Sequence, residues 1–84
     1  MTAEERIVQA LRAKEREIGV MALARALGVS APLWVAVREG TRRLGARMAD
    51  GAASKYPELD ADAMLFLRYE LPRRRRANGL RKSA

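Results

Sequence analysis

The chain has 84 residues and a formal net charge of +7, with 17 Lys and Arg against 10 Asp and Glu, and it contains neither Cys nor His. That length fits one small domain, able to bury only about 60% of the surface of its unfolded chain. The missing Cys and His exclude disulfide staples, thiolate metal sites and histidine acid–base chemistry, which leaves carboxylates or a Ser/Lys pair for any catalysis; no catalytic residues, metal or other cofactor are expected.

No apolar run reaches the roughly 18 residues of a membrane span. The acidic start Thr2-Ala3-Glu4-Glu5 is unlike a signal peptide. With no Cys to suit an oxidising compartment, the expected location is the cytoplasm, at the nucleoid.

Thr2 with Glu5 three residues on reads as a capping box. Ile7, Val8, Leu11 and Ile18 then recur at helical spacing, which predicts a first helix to about Glu17 with one buried stripe. Gly19 can open a second helix, 20–27, with Leu23, Ala24 and Leu27 inward. Gly28 can take the positive φ at which that helix stops. Ser30 caps a third helix, 31–39, which tolerates Pro32 because it lies in the first turn. Trp34 and Val37 form its buried stripe, and Gly40 ends it.

Thr41-Arg42-Arg43-Leu44-Gly45 is a basic loop before a weaker fourth helix, about 46–55, with Met48, Ala52 and Tyr56 inward. Gly51 costs that helix roughly 1 kcal/mol relative to Ala. Pro57 stops it, Asp60 caps a fifth helix to about Glu70, and Pro72 ends that one. From Arg73 onward there is almost no apolar content, so a disordered tail is expected. The expectation is all-α: a compact bundle of four to five short helices over 1–71 and a basic disordered tail over 72–84.

Charge is unevenly spread. Arg25, Arg38, Arg42, Arg43 and Arg47 face only Glu39 across 25–49, and the tail adds Arg73, Arg74, Arg75, Arg76, Arg81 and Lys82. Positive charge on one helix, the loop after it and the tail suits a polyanion partner. A solubilising tail on an indifferent domain is the plainer alternative.

The 20–39 unit carries more information. Where two helices cross sharply the first needs a small residue at the contact, and Ala24 stands there, four residues before the turn at Gly28. Val29 plugs the corner, while Leu23, Leu27, Trp34 and Val37 fill the space between the helices. Residues 7–59, best seen in LARALGVSAPLWVAVREGTRR (23–43), resemble the phage Cro and repressor type of helix-turn-helix domain, the Xre-like family. The resemblance implies a bundle whose third helix lies in the DNA major groove.

It also implies base-facing positions at Ala31, Pro32 and Ala36, with Val35 on the same face of the helix as a further base-facing candidate, and phosphate contacts at Val20, Thr41, Arg42 and Arg43. Arg47 and the tail residues Arg73, Arg74, Arg75 and Arg76 are further candidate phosphate contacts on their charge. Arg38 stands where an acidic residue is common in that family. It is expected to make a reversed pair with Glu15 or Glu17, or to reach a phosphate. None of the base-facing side chains can make a hydrogen bond. Such a face can touch thymine methyl groups and let the helix backbone sink into the groove, with affinity from arginines and specificity from methyl contacts and DNA shape.

ADAMLFLRYEL (61–71) has more apolar positions than one buried stripe needs. The surplus either covers Val20 and Met21 or forms a two-fold interface through Met64, Phe66 and Leu67. In ELDAD (58–62), a helix start at Asp60 with Asp62 in the first turn outweighs a metal site. The expected function is a sequence-specific DNA-binding transcriptional regulator, a Cro-like repressor binding double-stranded operator DNA as a homodimer. No membrane and no small-molecule ligand is expected. The alternatives are an antitoxin-like or adaptor module that docks a protein on the third or fifth helix, and RNA binding through the arginine tail.

Overall fold

In the computed structural model, which describes residues 1–75, every regular element is helical. Helix α1 (Ala3–Ile18) begins on the expected capping box. Thr2 Oγ1 accepts from the Glu5 amide, and Glu5 Oε1 accepts from the Thr2 amide, each at 3.1 Å. Its buried stripe is Ala3, Ile7 and Leu11. Ile18 does not belong to that stripe: the helix ends there, at Gly19, and its side chain is exposed.

Helices α2 (Val20–Leu27) and α3 (Ala31–Glu39) cross at 101°, within the range of a helix-turn-helix. Gly28 makes the turn in the left-handed region at φ +74°, where the Val29 amide reaches the Ala24 carbonyl at 3.1 Å. Ser30 Oγ caps α3 by accepting from the Leu33 amide at 3.3 Å. Leu23, Ala24, Leu27, Trp34 and Val37 are all buried, so the expected filling of the corner is the observed one.

Helix α4 (Ala46–Lys55) packs closely on α2. A Cβ on Gly51 would collide with the Leu27 carbonyl oxygen and lie 3.0 Å from its carbon. The glycine that weakens α4 locally is the one that lets the two backbones meet.

The C-terminal third departs from expectation in two ways. Asp60 does not cap: a 3-10 turn, Pro57–Leu59, leads into the helix, Asp60 is its first residue, and no side chain caps it. Nor does Pro72 end the helix. Helix α5 runs from 60 to 75, α-helical over Asp60–Leu65, π-helical over Phe66–Glu70 and α-helical again over 71–75. Proline lacks an N–H and its ring crowds the carbonyl four residues back. The wider turn ahead of it, in which the Leu71 amide bonds the Phe66 carbonyl, accommodates both. The expected boundary at residue 72 therefore falls inside a helix. The rest of the expected tail, Arg76 to Ala84, lies outside the described residues.

Trp34, Phe66, Ile7, Leu11, Leu23, Leu27 and Leu44 are the largest fully buried side chains, and they form one core. The acidic 58–62 stretch is used in tying helices together. Glu58 pairs with Lys14 at 3.3 Å and Asp62 with Arg6 at 2.8 Å. Among the described residues no three Asp or Glu side chains group as metal ligands, and no single helix is long and apolar enough to cross a membrane.

Candidate nucleic-acid interface

The start of α3 is small and apolar. Pro32 is exposed, while Ala31, Val35 and Ala36 are half-buried rather than freely presented. Ala36 is held at its backbone as well. Its carbonyl accepts from the Thr41 amide at 3.0 Å, the Arg42 amide at 3.2 Å and the Thr41 hydroxyl at 3.1 Å. That hydroxyl, expected at a phosphate, thus closes the end of α3. The three bonds and the left-handed Gly40 fix the direction in which the loop leaves the helix.

The orientation of α3 is set from α1. Glu15 Oε1 accepts from Trp34 Nε1 at 2.6 Å and from Arg38 Nη1 at 2.8 Å, and Arg38 also holds Glu39 at 2.8 Å. The reversed pair is therefore with Glu15, and Arg38 is engaged within the fold. The indole bond, with Arg38 behind it, holds the Glu15 carboxyl below the usual carboxylate range.

The expected phosphate contacts do not share one environment. Arg42, Arg47, Arg73 and Arg75 are exposed and enter no ion pair among the described residues. Val20 is half-buried against the core, so only the backbone of the α2 first turn is available there. Arg43 is exposed but pairs with Glu4 at 2.7 Å, which raises its already high pKa. Arg74 contradicts expectation outright. Its side chain is 20% exposed, lies over the Phe66 ring at 5.7 Å and donates through Nη2 to the Leu44 carbonyl at 2.9 Å. Its role is structural, because the helix continues past Pro72 and turns that residue inward. Arg76 lies outside the described residues.

Residues not expected at this surface also appear. Arg12 of α1 joins Arg42 and Arg43 around an open cleft of about 560 Å³, whose other walls include Glu4 and Glu5. Glu70 of α5 caps α1, accepting from the amides of Ala3 at 2.6 Å and Glu4 at 2.9 Å. Local sequence holds no signal for these contacts, since the partners are 66 and 67 residues apart.

The expected two-fold surface needs one correction. Phe66 is buried in the core and cannot reach a partner. Met64 and its neighbour Leu65 are exposed, and Leu67 is half-buried in a groove between α4 and α5 with Ala53 and Arg68. This helix does not cover Met21 either, which is 69% exposed.

Comparison with protein-family models, curated proteins and solved structures returns no match to this chain.

Proposed function

We propose that this protein is a sequence-specific DNA-binding regulator that lays the start of α3 in the major groove. It acts as a repressor of the phage or bacterial kind by covering its promoter, with no cofactor and no catalytic step. The observation that carries this reading is the 101° crossing of α2 and α3, which leaves Pro32 exposed at the start of α3 and Arg42 exposed just after its end. Cations beside a helix of small apolar side chains suit phosphates flanking a groove whose floor presents methyl groups. The resemblance of residues 23–43 to Cro-type domains points the same way. In this reading two copies meet through Met64, Leu65 and Leu67 and set two α3 helices about 34 Å apart on one face of the duplex.

The experiment is selection of duplexes from a randomised pool in the presence of excess non-specific competitor DNA. Enrichment of a defined motif supports the regulator. A pool that stays random while protein remains bound contradicts it and leaves only non-specific polyanion binding.

One observation favours a second reading. Ile18 and Met21 are both exposed at the α1–α2 junction, where a DNA-facing helix start has no use for apolar side chains. An adaptor or antitoxin-like module would dock a protein there. Met21→Asp tests the patch: motif binding lost in a folded variant assigns it to the DNA surface, whereas motif binding retained leaves it free to dock a protein.

A further inference from the structure

Glu4, in the first turn of α1, sits among basic and backbone groups from two other segments. Its side chain is only 16% exposed; Oε1 accepts from Arg43 Nη2 at 2.7 Å, and Oε2 accepts from the Leu44 amide at 3.1 Å. The same Oε2 lies 3.8 Å from Arg74 Nη1, which is buried and has no hydrogen-bond partner. Arg74 returns to the loop through the Leu44 carbonyl, and Glu70, one turn earlier, caps the helix that carries Glu4. The start of α1, the 41–44 loop and the 71–75 turn are thereby locked together.

What this lock presents outward is cationic. Arg43 gives one donor to Glu4, yet a guanidinium has five N–H groups and this side chain is 67% exposed. Arg42 precedes it in the loop, and the exposed Arg73 and Arg75 flank Arg74 on the helical turn. We propose that Glu4 is a positioning residue for DNA phosphates, joining the 41–44 loop and the 71–75 turn into one phosphate-binding surface and aiming Arg43 on it. The proposal rests on the DNA reading above.

Two effects oppose each other here. A carboxylate beside phosphates repels them, but Arg43 at 2.7 Å and the Leu44 amide at 3.1 Å already offset the charge of Glu4, and phosphates stand in solvent, where charges are screened over about 8 Å at physiological salt. Against it stands the ordering of a long side chain, since a free arginine must give up most of its rotamer freedom to hold a phosphate. A carboxylate that has already restricted Arg43, and that leaves its outer donors open, favours binding more than its charge opposes it.

The test is a double-mutant cycle in duplex affinity, measured by fluorescence anisotropy on the full chain well below its melting temperature. Glu4→Gln removes the charge at constant shape, and Glu4→Asp keeps the charge and withdraws the reach. Both are expected to bind about five- to tenfold more weakly and to lower the log-affinity versus log-salt slope by roughly 0.9, one phosphate contact. In an Arg43→Ala background the loss caused by either change is expected to shrink. Simple repulsion gives the opposite pattern, with Glu4→Gln tighter than wild type and Glu4→Asp unchanged, and overturns the proposal. Equal losses in both backgrounds also overturn it, because Glu4 then acts through the fold alone. Should Glu4→Gln not fold, Glu4→Asp alone decides within the same cycle. If wild-type protein fails to bind duplex at all, the DNA reading falls and this proposal falls with it; wild-type binding with a failed cycle removes only the proposal.

Discussion

Trp34 Nε1 donates to Glu15 Oε1 at 2.6 Å, joining the most deeply buried ring of α3 to the surface of α1. An indole buried on all sides still carries one N–H that needs an acceptor, and a carboxylate pinned by Arg38 at 2.8 Å supplies it. The bond therefore fixes how α3 is rotated about its own axis, and so which of its residues face outward.

Replacing that carboxylate tests its worth. Glu15→Leu leaves the indole N–H buried without a partner and strips Arg38 of its inner anion. The expected loss of folding stability is about 1–3 kcal/mol, read by thermal or urea denaturation. Glu15→Gln keeps an acceptor and should lose less than Glu15→Leu. Equal stability of Glu15→Leu and wild type would mean that the indole bond contributes nothing net.

The same contact makes stability depend on pH in a defined direction. The Trp34 bond, with Arg38, lowers the Glu15 pKa in the folded state, so on acidification the unfolded chain takes up this proton first. The contribution of Glu15 is complete above the ordinary carboxylate pKa of about 4.3 and is lost as the pH falls through the lower folded value. The difference in melting temperature between wild type and Glu15→Gln should therefore be constant from pH 7 to about 5 and narrow below about 4. A gap that widens on acidification contradicts the assignment.

Gly51→Ala sets helix propensity against packing. Ala is favoured over Gly inside a helix by roughly 1 kcal/mol. At this position the added Cβ meets the Leu27 carbonyl, and backbone cannot swing aside as a flexible side chain can. Overpacking costs about 1–3 kcal/mol, so the expected net result is a lower melting temperature. A more stable variant would show that α2 and α4 have room to separate.

The α5 surface separates into inward and outward residues. Phe66→Ala opens a cavity in the core and should cost about 3–5 kcal/mol without a specific effect on assembly. Met64→Asp changes an exposed position and should leave the melting temperature within about 0.5 kcal/mol of wild type. If α5 joins two copies, sedimentation at tens of micromolar shows a dimer for wild type and a monomer for Met64→Asp. An unchanged sedimentation pattern assigns the exposed Met64 and Leu65 to something other than self-association.

Most of the fold is legible in the residues because its instructions are local. The Thr2–Glu5 box, the left-handed turn at Gly28, the Ser30 cap and the Trp34–Val37 stripe each lie within one or two turns of what they control. The failures come where distance in sequence matters. Pro72 reads as a stop, yet its missing N–H is absorbed by a π turn that no spacing rule announces. Gly51 reads as a weakness, and its purpose is visible only once Leu27 lies against it. The candidate site suffers most. Arg43 and Arg74 look alike as cations in the sequence, but Glu4 and Leu44, 30 to 40 residues away, turn one outward and one inward.

The central claim, that the start of α3 faces a duplex, is tested most directly at Pro32. It is exposed and lies in the first turn, where an acidic residue is favoured by the helix dipole, so Pro32→Asp should fold at least as well as wild type within about 1 kcal/mol. Against DNA the same carboxylate would stand near the acceptor-rich edges of bases and the phosphates beside them, with no donor to meet it. The measurement is the affinity of wild type and Pro32→Asp for a duplex selected by the wild type, under the same competitor and salt. The expected result is a loss of at least about 2 kcal/mol in binding, roughly thirtyfold, with folding stability kept within about 1 kcal/mol of wild type. A folded Pro32→Asp protein that binds the selected duplex at full strength would contradict the placement of α3 in the groove.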